Sequence, residues 1–187
     1  MGRLDRGANI FCLESFRHQR LDGDRLSVRP LLELLYASRG TKFVHLTCST
    51  RYELGFNLRQ HKRYRSYGSV YLAFHGKRGR LLLADGSELA LEELAEMARG
   101  TLAGCLVHMG SCVTALAEEQ LFNFLEITGA SVATGYTKSV DWIDSAALDM
   151  LLLDWAREYS NAKSLIDKLV TTYPGLIEAT GFTALQG

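Results

Sequence analysis

Residues 70–79, "VYLAFHGKRG", and 104–113, "GCLVHMGSCV", decide how the chain is read. Each carries a short, buried-looking run that then stops at a glycine. The first stops just after His75, the second just before Ser111 and Cys112. Apolar runs of this length bounded by turn residues read as strands buried on both faces. One strand therefore ends on an imidazole and the other on a thiol, the two groups from which a nucleophile and its base are made.

Outward from these two runs, strands and helices alternate. "NIFCLE" (9–14) and "KFVHLTC" (42–48) read as strands. Between them "SVRPLLELLYASRG" reads as a helix with Ser27 to cap it, Pro30 in the first turn and Gly40 to close it. The arginine-rich segment 51–66 spaces Leu54 and Leu58 by one helical turn, and the strand "SVYLAF" (69–74) follows. Past His75, "RLLLADGSELAL" carries Asp85-Gly86 between short apolar runs, the mark of a small β-hairpin. "LEELAEMA" is a helix closed by Gly100, and "LAGCLVHM" (102–109) a fourth core strand. "TALAEEQLFNFLEITG" is a helix and "ASVATGY" (130–136) a fifth strand. Helical spacing returns across "DWIDSAALDMLLLDWAREY" and at about 160–171, before "PGLIEATGFTAL", which holds a last strand. This alternation predicts one three-layer α/β domain over 1–187, a mostly parallel central sheet of about six strands with helices on both faces.

Composition narrows the function. The 187 residues carry 21 basic and 21 acidic side chains, so no overall field draws the chain to nucleic acid or to an anionic membrane. The opening "MGRLDRGANIFCLESF" is too short in its apolar part for a signal peptide, and a cytoplasmic location is expected. Cys12, Cys48, Cys105 and Cys112 lack CxxC spacing, which suits reduced thiols better than disulfides or zinc. A metal site from His75, His108 and Cys112 lacks a fourth clear ligand, and no cofactor is expected.

In parallel sheets the working residues lie past the carboxyl ends of the strands. His75 and Cys112 both fall there. A cysteine works as thiolate, favoured by a neighbouring imidazole. The developing oxyanion needs donors, which the N–H groups of Gly76 and Cys112 offer.

"YLAFHG" followed by "LVHMGSC" resembles the His-Gly and strand-end cysteine of the caspase-like cysteine peptidases, the group that includes metacaspases, separases and CHAT domains. "LLLADGSELALEELA" is especially similar to CHAT domains, where a hairpin and a helix fill this interval. The resemblance runs from about residue 9 to 157 and implies a caspase-like fold with His75 as base, Cys112 as nucleophile and Gly76 N–H in the oxyanion hole. Small bacterial proteins of this kind often serve as regulated effectors in defence operons. It follows that protein or peptide substrates are expected, with a regulatory partner or nucleotide-derived signal. Metacaspases place an acid two residues before their cysteine; here that residue is Gly110. The alternative reading is an inactive caspase-like module that binds a peptide, a partner or a nucleotide-derived signal through the same cleft.

Cleavage after Arg or Lys calls for an acid at the mouth of the cleft. Asp141 is the first candidate, with Asp144 and Glu14 next; the competing use of Asp141 and Asp144 is to cap a helix. Trp142 and Tyr136 are candidates to line the groove, and His45 and His108 are expected in the core or behind the site. The run "RQHKRYRSY" (59–67) reads as a solvated helix face, with phosphate binding as its functional alternative.

Only "EITGAS" separates the helix after Cys112 from the fifth strand, with no room for a loop that is cut on maturation. The active form is therefore expected to be one intact chain. Mass spectrometry of active protein that finds a cut between Cys112 and Ala130 would refute this.

Overall fold

The computed structural model describes residues 3–16, 26–77, 79–110 and 118–187. A six-stranded sheet forms the middle layer, in the order β2 (Phe43–Thr47), β1 (Ile10–Glu14), β3 (Ser69–Ala73), β7 (Leu106–Met109), β8 (Val132–Tyr136), β9 (Phe182–Gln186). The first five run parallel and β9 is antiparallel to β8. The strand period of two sorts the side chains. Phe11, Leu13, Val70, Leu72, Val107 and Met109 join one core, beneath α2 (Arg51–His61), α3 (Leu91–Met97) and α4 (Glu118–Thr128). Ile10, Cys12, Tyr71 and Leu106 turn to the other face, under α1 (Arg29–Arg39), α5 (Trp142–Trp155) and α6 (Ala162–Thr172). The result is the three-layer, mostly parallel arrangement that the alternation of runs predicts.

The helix ends follow local chemistry. Gly40 closes α1 in the left-handed region, its N–H bonded to Tyr36 O at 2.9 Å. Ser27, the expected cap, sits one residue before the observed one. Val28 is the cap residue, while Ser27 Oγ accepts from Arg29 N at 3.2 Å. Thr50 and Glu53 form a reciprocal capping box at the start of α2. Turns over residues 101–104 shorten the fourth core strand to β7. Pro174 starts one more helix, α7 (Pro174–Thr180), before β9.

The Asp85-Gly86 turn joins β5 (Arg80–Leu82) to β6 (Glu88–Ala90), with Ser87 N and Oγ both donating to Asp85 Oδ1. The hairpin has a third strand. His75 does not simply end β3; it opens β4 (His75–Lys77), antiparallel to β5 with His75 opposite Leu82. The short polar "HGK" hides this strand from any hydrophobic pattern. The small sheet is fastened to the large one by Ala84 N to Ser15 Oγ and Asp85 N to Ser49 O, both 3.1 Å.

Leu72 is fully buried in β3, the strand that leads to His75. Leu72→Ala should remove about 2–5 kcal/mol of unfolding free energy, as large-to-small core changes do. Chemical denaturation checks this: a loss under about 1 kcal/mol would show that the site collapses freely.

Candidate functional site

β3 and β7 are neighbours, with Leu72 opposite Met109, and the ladder continues one step further as Gly110 N donates to Leu72 O at 3.0 Å. His75 stands three residues beyond Leu72, and Cys112 three residues beyond Met109. Both motifs thus leave the same edge of the sheet from adjacent strands at matching register. His75 is exposed and Gly76 half-buried, opposite Leu81. Ser111, Cys112 and Arg78 lie outside the described residues.

The acids proposed for substrate selection have structural partners. Glu14, at the end of β1, is buried; it accepts from Val28 N at 2.8 Å, Ser27 Oγ at 2.7 Å and His45 Nε2 at 2.6 Å, and so ties β1, β2 and the start of α1 together. Asp141 caps α5, accepting from Ile143 N at 2.8 Å and Asp144 N at 3.3 Å. That is the capping use weighed from the sequence, and Asp144 sits in the first turn of the same helix. Tyr136 is fully buried, which removes it from the groove expected for it; Trp142 remains partly exposed.

Tyr136 instead belongs to a cluster that the sequence pattern leaves unassigned. Tyr71, His108 and Thr134 form one cross-strand row over β3, β7 and β8. Asp149, only 3% exposed, reaches down onto that row from α5. Its carboxylate accepts from Tyr71 Oη, Tyr136 Oη and, at 2.5 Å, His108 Nε2. His108 Nδ1 meets Thr134 Oγ1 at 2.8 Å. The tyrosine and imidazole rings also stack, with Tyr71 and His108 centroids 5.5 Å apart. Burial, and next the Asp149 charge, hold the Tyr71 phenol well above the ordinary tyrosine range, so it stays a donor to the carboxylate. Helical spacing was the available signal: Ser145, Leu148, Asp149 and Leu152 share the buried face of α5, and an acid on an apolar face needs a partner.

Gly110 is where the cluster meets the sheet edge. A Cβ there would fall 2.5 Å from Tyr71 Cε2 and 3.2 Å from Asp149 Oδ2, so only glycine lets the ring and the carboxylate approach the strand.

The basic run lies at the opposite, amino-terminal side of the strands. His61 is buried within it, donating from Nε2 to Tyr67 O at 2.8 Å, and burial lowers its pKa. Lys62, Arg63 and Arg65 are exposed.

The model of a family of unknown function, DUF6642, matches residues 7–185. No curated protein matches the chain.

Gly110→Ala should push the Tyr71 ring off its hydrogen bond with Asp149 and cost about 1–3 kcal/mol, the usual penalty of overpacking. Thermal unfolding together with near-ultraviolet dichroism of the tyrosines is the measurement. An unchanged melting curve and spectrum would show that the edge tolerates a side chain at 110.

Proposed function

We propose that this chain, which belongs to the DUF6642 family, is a caspase-like cysteine endopeptidase that cuts protein substrates after a basic residue. One observation carries the reading. β3 and β7 are adjacent and parallel, with Leu72 opposite Met109 at the carboxyl edge, and in the sequence His75 and Cys112 each follow three residues later. His75 takes the thiol proton of Cys112, and the thiolate attacks the substrate carbonyl. The oxyanion is held by the N–H groups of Gly76 and Cys112. His75 then protonates the leaving amine, and water, deprotonated by the same imidazole, releases the acyl group and restores the thiol.

The other cysteines offer a clean background for a test. Burial pushes the Cys12 and Cys48 thiols up, and that of Cys105 to about 11, so all three stay protonated and shielded at neutral pH. An iodoacetamide probe at neutral pH should label Cys112 alone, with labelling at least about tenfold slower in His75→Ala, as expected when a thiolate loses its imidazole partner. Peptide mapping identifies the labelled site. Equal labelling of all four cysteines, or a rate indifferent to His75→Ala, would favour the inactive binding module instead.

A further inference from the structure

A small cleft of about 40 Å³ opens between α1, α5 and the end of β7. Tyr71, Gly110 and Asp149 form its floor, and Leu31, Ala146 and Trp142 its walls. Trp142 is 37% exposed and stands at the mouth.

The floor is chemically asymmetric. A carboxylate offers about four lone-pair sites. Oδ1 of Asp149 spends both of its own on Tyr136 Oη and His108 Nε2, while Oδ2 accepts from Tyr71 Oη. Among the described residues one acceptor site is left. It is on Oδ2, the oxygen 3.2 Å from where a Cβ of Gly110 would stand. Thr134 Oγ1 lies 2.8 Å from His108 Nδ1 and 3.4 Å from Val107 O, so we assign its proton to the imidazole. With that assignment Nδ1 accepts and Nε2–H donates, so the carboxylate is met by hydrogen-bond donors. A buried charge of that kind is costly without a counter-charge.

We propose that this cleft takes the ammonium group of a substrate lysine, which makes Asp149 the specificity-determining residue; this deepens the peptidase reading and rests on it. The geometry selects lysine over arginine. A guanidinium draws its advantage from gripping both carboxylate oxygens at once, and Oδ1 is already filled. An ammonium is a compact point charge that needs separate acceptors. Oδ2 and the Tyr71 hydroxyl oxygen supply two of them. The space is also of the order of a few water molecules, enough for an ammonium head. The indole of Trp142 at the mouth covers the aliphatic stem.

Two measurements on the whole chain test this. In amide-correlation NMR, n-butylammonium should shift the Gly110 amide and the Trp142 indole resonances. It should bind about tenfold or more tightly than n-butylguanidinium, the worth of one charge-assisted hydrogen bond, and the shifts should vanish in Asp149→Asn. In a peptide assay, substrates that differ only in the residue before the scissile bond should be cut fastest with lysine, by about tenfold or more over arginine. Butylguanidinium binding equal to butylammonium, no shift with either, or faster cleavage after arginine or aspartate each overturns the proposal. So does a folded Asp149→Asn that keeps the lysine preference. If no peptide is cut while butylammonium still shifts Gly110, the peptidase reading fails and the cationic cleft stands. If Asp149→Asn loses cooperative melting, the comparison of the two cations on the wild type decides alone.

Discussion

One buried carboxylate organises the middle of this molecule. Asp149 descends from α5 onto three adjacent parallel strands and gathers hydrogen bonds from β3, β7 and β8. Hydrogen bonds to a charged group are worth about 1.5–3 kcal/mol each, and a buried charge that loses one is penalised further. Apolar contacts alone would let α5 slide along the sheet. A carboxylate that must meet two phenols and an imidazole fixes its rotation and height. The same fixing brings Trp142, at the start of α5, to the carboxyl edge of the sheet, where Gly110 continues β7.

Much of this order is written in the chain. The strands read directly because parallel strands covered on both sides are mostly apolar, and the hairpin reads from Asp85-Gly86 because that pair suits the left-handed turn. β4 does not read, since His75 and Lys77 are exposed and Gly76 between them has no side chain, which leaves no hydrophobic period. The chemistry of the acids was harder still. A carboxylate looks the same in sequence whether it caps a helix, as Asp141 does, ties a strand to a helix, as Glu14 does, or lies beneath a cleft, as Asp149 does. Only the helical phase of Asp149 among Ser145, Leu148 and Leu152 separates it from the others, and that signal is a mismatch rather than a motif.

The second polar tie works at a different scale. Glu14 holds the end of β1 to the start of α1 and to His45 of β2, so the carboxyl edge is braced at β1 as well as at β7. Between the braces, Ser15 and Ser49 fasten the small sheet that begins with His75. The exposed histidine is thus carried by short strands anchored at their far turn, while buried residues below set the floor.

β9 gives the fold a temporal character. Among the described residues it is the one antiparallel strand of the large sheet, and its partner β8 is separated from it by three helices, α5, α6 and α7. During synthesis β8 emerges long before the strand that covers its outer side. Its unpaired backbone edge remains available to other chains until residues beyond Thr180 have left the ribosome. Nascent molecules on neighbouring ribosomes therefore share a vulnerable interval, and a chaperone that occupies that edge would raise the yield of folded protein without altering its final stability.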